Sequence, residues 1–568
     1  GILFCLLLLV AFPSFSYPPV SDYWSTMFYP FHSFENLPGK VWMHVLNIDP
    51  CEQMRYQPLS RLYYYVLHCF VGSNFMIFNI LNFLMYFLSM LLIYRFILYF
   101  VEDRVMSAAF IGTCAFLFTH FDILLWSCHT YIIFGLISFL FGFINYVKFV
   151  KTKNTSFLFF VGALFLIGMW SYEAFALWPL AIIFLSSIKN FKNDSTKKKF
   201  WHAKINFIFL GMIYALYFGA YLFTRAINTY SAPTYKISSF FNLSSFVYAS
   251  LKVLFNFLYN TVFVNVLPFL AFPLNVSENI YMRGPILEFI NNENGWIIFI
   301  IGTFVGIMLT VLFIWLKNKK YYEEMKIVGF LAFLMLSEPF VIFFFREASN
   351  PSIYSLTEFR YQYVPNIVFA LVLIYAICKI MRSSKTMRKA IFALLAFVFI
   401  GNIYFSNKVI SIYNSDLSNL KKVFSSVRTG IKDGLINNEN NLYIDKNIHE
   451  YLPSLCWNVY MGERFIKEGN YKWLFSKKEL AYFTEDINAA KWIIDKDTFY
   501  VVEKTFENLK KEGKFISKGK GEQYRELGYY YMDNSDFHNA VIMLEKSFIE
   551  DPGNEDARKA LGESQQKF

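Results

Sequence analysis

Long apolar stretches without interruption recur from the first residues to about residue 405, among them 76–101, 131–149, 205–223, 296–316 and 363–380. A helix of ~20 apolar residues has no polar face to give to water, so such stretches need lipid or a very large core around them. They are continuous and do not alternate, which excludes a β-barrel porin. Composition agrees: 56% of the 568 residues are hydrophobic and 17% charged, against about 25% charged in soluble domains. The chain reads as an all-α polytopic membrane protein.

Eleven spans are expected, at 1–12, 76–101, 105–118, 131–149, 157–170, 174–188, 205–223, 296–316, 327–345, 363–380 and 390–405. The stretch 244–272 either adds two tight spans, making thirteen, or lies at the interface. Residues 1–12 read as the end of a first transmembrane helix, with a signal peptide as the alternative. Sidedness follows from lysine and arginine. Lys189, Lys192, Lys197, Lys198, Lys199 and Lys204 crowd one loop; Lys317, Lys319, Lys320 and Lys326 a second; Lys379, Arg382, Lys385, Arg388 and Lys389 a third. Counting spans alternately puts all three on one side, the cytoplasm. The first loop 13–75, the loop 119–130, and everything after 405 then face the other compartment. Much of the net charge of +11 sits in these loops, and no recognition motif accompanies it, so no nucleic-acid partner is expected. The seven cysteines show no CxxC, and the eight histidines no metal-ligand spacing; the histidines read as scattered loop or interface residues.

Past residue 405 the composition shifts toward Lys, Glu, Asp and Asn. Residues 406–512 read as a mixed α/β domain with strand-like patches at 441–444 and 498–502, and 513–521 as a linker. The segment 522–568 carries two helical patterns, 522–532 and 536–549, and a following capping helix, 554–566. Tyr524, Leu527, Gly528, Tyr531, Ala540, Leu544, Ser547 and Pro552 stand at the spacing of a tetratricopeptide repeat. A lone repeat needs a neighbour to cover its faces, so it is expected to dock on the preceding domain or on a partner, with Tyr524 and Tyr531 as partner-binding candidates.

Ionisable groups at a membrane face need a reason, because each is expensive to place there. On the outer side stand Asp22, Asp122, Glu173, and Glu358 with Arg360. Far apart in sequence yet at one face, they suit an acid/base and anion-binding site opening outward. No metal site is expected, with a divalent ion held by oxygen ligands from Asp22 and Asp122 as the alternative.

Several passages resemble the GT-C glycosyltransferases, and in particular the branch that joins a polytopic module to tetratricopeptide repeats, including transmembrane O-mannosyltransferases and their bacterial relatives. They are Arg55-Tyr56-Gln57-Pro58-Leu59-Ser60 with Tyr63-Tyr64-Tyr65 and Asn79-Ile80-Leu81-Asn82-Phe83-Leu84, then Phe118 to Trp126, Trp170-Ser171-Tyr172-Glu173, and Arg360-Tyr361-Gln362-Tyr363-Val364-Pro365. The resemblance covers roughly 1–405 and the final repeat. It implies sugar transfer from a polyprenyl-phosphate donor to a protein or glycan acceptor outside the cytoplasm. It makes Asp22 the base, with Asp122 and Glu173 as further catalytic acids. Arg360, Tyr361 and Arg55 would hold the donor phosphate. Membrane lipids surround the module. Abundant Phe, Tyr, Asn, Lys and Ile suits an AT-rich genome, and a bacterial cytoplasmic membrane is the expected location, with the endoplasmic reticulum as alternative. A scaffold without catalysis, whose outer domain anchors an envelope assembly, is the competing reading.

Overall fold

The computed structural model describes residues 2–16, 57–71, 74–125, 129–188, 196–227, 243–258, 261, 295–318, 321–343, 363–380, 385–443, 482–484, 490–495, 498, 500–504, 520–533, 535–550, 552–553 and 555–567. The chain divides into two compact units, Gly1–Asn414 and Ser415–Phe568.

The first unit is helical. In chain order it has α1 (Ile2–Ala11), α2 (Pro58–Val71), α3 (Phe75–Ile97), α4 (Arg104–Ala115), α5 (Phe121–Leu125), α6 (Thr130–Thr152), α7 (Thr155–Ser171) and α8 (Ala181–Ser187). Then come α9 (Thr196–Ile227), α10 (Leu243–Asn256), α11 (Gly295–Asn318), α12 (Tyr322–Val341), α13 (Tyr363–Ile380) and α14 (Lys385–Lys432), whose residues from Ser415 on belong to the second unit. Short 3-10 turns occupy Phe12–Ser16, Phe118–His120 and Glu173–Leu180.

Among the described residues four segments are long and apolar enough to cross a membrane: Met76–Ile97, Thr130–Thr152, Lys204–Thr224 and Arg388–Lys408. Other apolar stretches form shorter helices. The twelve residues of α4 rise only ~18 Å against the ~30 Å of hydrocarbon. Thr130–Thr152 is 72% buried within the protein, whereas Lys204–Thr224 and Arg388–Lys408 are 22% buried. The α6 helix is therefore central. The other two turn Phe207, Leu222 and Ile400 outward, as lipid-facing helices do.

Two residues join α6 to its antiparallel partner α7. Lys153 takes the left-handed conformation (φ 61°) that ends α6, and the Asn154 side chain caps α7 by accepting from the Ser156 amide at 3.0 Å. Between the two helices the rings of Phe165, Phe175 and Trp178 surround Phe139, at centroid distances of 5.1, 5.4 and 5.4 Å. Gly168 lies under the Phe139 ring, where a Cβ would overlap it.

The α14 helix does not stop near residue 405, where the apolar stretch ends. Ser406 is buried, and its hydroxyl donates to the Phe116 carbonyl at 3.2 Å, so the first unit holds the helix beyond its apolar part. Lower down, Asp103 both caps α4, accepting from Met106 N at 3.0 Å, and pairs with Arg388 of α14 at 2.9 Å.

The second unit carries a four-stranded sheet in the order β2-β1-β3-β4, with β1 (Asn441–Tyr443), β2 (Phe483–Thr484), β3 (Ala490–Ile494) and β4 (Val501–Glu503). β1 runs parallel to β2 and β3; β4 is antiparallel to β3. Ala490, Ile493 and Ile494 of the inner strand β3 are buried, as is Leu442 of β1. Three helices follow: α15 (Lys520–Asp533), α16 (Phe537–Glu550) and α17 (Glu555–Lys567). Leu527, Ala540, Leu544 and Ala557 form their shared core.

Candidate functional site

Within apolar α3, four polar residues follow at steps of three and four: Asn79, Asn82, Tyr86 and Ser89. That spacing puts them on one face, rising ~15 Å along the axis. All four are buried, so each must find a partner or leave a desolvated group. Each does, on a different part of the chain. Asn79 Nδ2 donates to the carbonyls of Ser14 and Phe15 at 3.2 and 3.3 Å. Asn82 Nδ2 donates to Ile123 and Leu124 at 2.8 and 2.9 Å, and its Oδ1 accepts from Thr130 Oγ1 at 2.9 Å. Tyr86 OH donates to the Ala115 carbonyl at 2.8 Å. Ser89 Oγ gives its proton to the Tyr86 carbonyl at 2.6 Å, so the Tyr363 hydroxyl is the donor in the 2.7 Å contact with Ser89. Asn366, one turn further along α13, donates to Thr119 Oγ1 at 3.0 Å.

His120 completes this group. Its Nδ1 lies 3.2 Å from Tyr86 OH, whose proton is committed to Ala115, so Nδ1 carries the imidazole proton, and Nε2 has no hydrogen-bond partner among the described residues. Burial lowers its pKa from the ordinary value near 6.5 to about 3. Between these values the unfolded chain binds a proton that the folded protein refuses. Stability therefore falls as pH drops below about 6.5, by up to ~1.4 kcal/mol per pH unit. Melting temperatures in detergent between pH 7 and 5 should show this slope, and His120→Asn should flatten it; an unchanged slope would place the titrating group elsewhere.

Of the residues singled out from sequence, Asp22, Arg55, Arg360 and Tyr361 lie outside the described residues, as does Glu358. Asp122 occupies the second position of α5, and its side chain is not among those described, so the Asp22/Asp122 metal pair has no geometry to report. Glu173 opens the 3-10 turn after α7, and its Oε2 accepts from Gln57 Nε2 at 2.5 Å. Gln57 is buried and stands two residues after Arg55. Tyr524 and Tyr531 sit on α15, both half-buried. The Lys546 ammonium lies 5.9 Å from the Tyr524 ring centroid. Burial, then the Asp536 charge, raises the Tyr531 pKa.

The described flanks of the candidate segments thus converge. Ser14 and Phe15 precede Asp22 in the chain, α5 carries Asp122, and Tyr363 follows Arg360 and Tyr361; all three segments are tied to α3. Among the described residues no cluster of three or more His, Cys, Asp or Glu is placed to hold a metal ion.

Sequence reasoning passed over Tyr86, Ser89 and Glu338, and read His120 as a scattered loop or interface residue. The first two complete a 3–4 polar repeat that was there to be read. Glu338, in α12, is fully buried, and neither carboxyl oxygen has a hydrogen-bond partner among the described residues. Its signal was a single acid within an apolar stretch, just before Pro339. An unpartnered buried polar group costs about 1–3 kcal/mol, so Glu338→Met, apolar and of similar volume, should raise the melting temperature in detergent. A fall would mean that the carboxyl serves a partner.

No known family's sequence profile matches this chain, and neither curated proteins nor solved structures include a significant match to it.

Proposed function

We propose that this chain is a membrane glycosyltransferase that moves a sugar from a polyprenyl-phosphate donor to a protein or glycan acceptor outside the cytoplasm. One observation carries the reading: the polar stripe of α3 fastens the end of the Phe12–Ser16 turn, α5 and the start of α13. These are the flanks of the segments bearing Asp22, Asp122, and Arg360 with Tyr361. A site assembled from separate outer loops needs such a rigid backing, because inverting transfer demands that base, sugar and leaving phosphate be held in line.

In this mechanism the Asp22 carboxylate takes the proton of the acceptor hydroxyl as that oxygen attacks the anomeric carbon. The carbon–oxygen bond to the lipid phosphate breaks, and the phosphate leaves with the bonding pair. Arg360 binds two of its oxygens, Tyr361 adds a hydroxyl donor, and Arg55 is a second cation. Glu173, which accepts a hydrogen bond from Gln57, would orient a sugar hydroxyl. The membrane is a bacterial cytoplasmic membrane in this reading, with the second unit outside.

The α15–α16 pair supports a tetratricopeptide repeat. A Cβ on Gly528 would overlap Leu544, so the helices approach as closely as glycine allows, while Ala540 and Ser547 are fully buried between them. The repeat would gather the acceptor protein or a partner, through Tyr524 and Tyr531.

The test is transfer of labelled sugar from polyprenyl-phosphate donors in membranes holding equal amounts of wild type or Asp22→Asn. Transfer by wild type alone establishes the enzyme and labels its acceptor. No difference across a broad donor panel would leave the scaffold reading.

A further inference from the structure

Between the ends of α3 and α6 lies an open groove of about 510 Å³. Its apolar floor includes Leu88 and Leu91 from α3 and Phe141 from α6, all exposed. Its upper rim carries Arg95 and Lys148. Each cation stands two turns beyond a floor residue on its own helix, Arg95 after Leu88 and Lys148 after Phe141, which is ~10 Å of rise in both. No carboxylate lines the groove, and among the described residues neither cation has a carboxylate partner. Lys151 stands beside the rim, its ammonium 5.5 Å from the centroid of Tyr99. Both helices are long and apolar enough to span a membrane, so the groove opens sideways, where a lipid would lie.

We infer that this groove binds an anionic glycerophospholipid of the surrounding bilayer, its phosphate between Arg95 and Lys148 and an acyl chain along Leu88, Leu91 and Phe141. The match is one of charge and depth together. Cations at the end of a span lie at headgroup level, with their stems on apolar surface, and the floor continues downward as acyl chains do. A zwitterionic lipid would bring its own cation to a rim that already carries two. The inference does not depend on sugar transfer.

The experiment is native mass spectrometry of the delipidated full chain with phosphatidylglycerol or phosphatidylcholine of identical acyl chains. Wild type should retain phosphatidylglycerol about tenfold better, the order expected of two surface cations. Arg95→Ala/Lys148→Ala should reduce that preference to near unity, while Arg95→Lys/Lys148→Arg should keep most of it. Lys421→Ala/Lys422→Ala, an equal loss of charge elsewhere, should leave it intact. Equal retention of both lipids by wild type would overturn the site, as would an equal loss of preference in Lys421→Ala/Lys422→Ala. Retention of polyprenyl phosphate that falls in Arg95→Ala/Lys148→Ala while retention of phosphatidylglycerol does not would assign the groove to a different lipid and overturn it too.

Discussion

Asn82→Leu should destabilise the protein by roughly 2–6 kcal/mol, because it takes the amide donor from two buried carbonyls, those of Ile123 and Leu124, at about 1–3 kcal/mol each. It also removes the acceptor of the Thr130 hydroxyl. Leucine is close in size and a better helix former, so neither a cavity nor a loss of propensity accounts for the effect. Asn79→Leu is the internal control: its bonds to the Ser14 and Phe15 carbonyls, at 3.2 and 3.3 Å, are longer, and the loss should be smaller. Unfolding in mixed micelles measures both. If sugar transfer is established, Asn82→Leu should also reduce turnover more than donor binding, since α5 carries Asp122 and no proposed phosphate ligand. Equal stability losses at the two positions would show that α5 is held by something other than Asn82.

The second large effect lies between α6 and α7. Phe139→Ala removes the ring that Phe165, Phe175 and Trp178 enclose and should cost about 3–5 kcal/mol. Gly168→Ala should be destabilising for the opposite reason, since its methyl would overlap the Phe139 ring. The two faults are complementary: with the ring gone, the methyl has room. The double variant should therefore be more stable than the sum of the single losses by at least ~1 kcal/mol, a coupling expected only of groups in contact. Strict additivity would mean that the helices separate when either residue is changed.

Apolar stretches foretold the helices because burial in lipid or protein leaves little else for them to be. The stretch 131–149 lies within Thr130–Thr152, and 363–380 coincides with Tyr363–Ile380. The α14 helix runs past residue 405, and just there Ser406 donates a hydrogen bond to the carbonyl of Phe116, 290 residues away in sequence. No local pattern records that. Strand-like patches at 441–444 and 498–502 overlap β1 and β4, whereas β3, Ala490 to Ile494, was missed, its Trp-Ile-Ile core being equally at home in a helix. Gln57 and Glu173 are likewise separated by 116 residues, so their pairing is a property of the fold alone. The α3 stripe was legible in principle, since 79, 82, 86 and 89 keep helical register. It was overlooked because four polar residues barely lower the hydropathy of so apolar a segment.

The turn at Lys153 and Asn154 bears on how the protein is made. Closing a loop this short sacrifices little chain entropy, and contacts between neighbours in sequence form fastest. As α7 follows α6 off the ribosome, the pair can fold back on itself and enter the bilayer as one hairpin, its rings already interleaved. Everything synthesised later, α12 and α13 included, then assembles on a finished template instead of competing to build one.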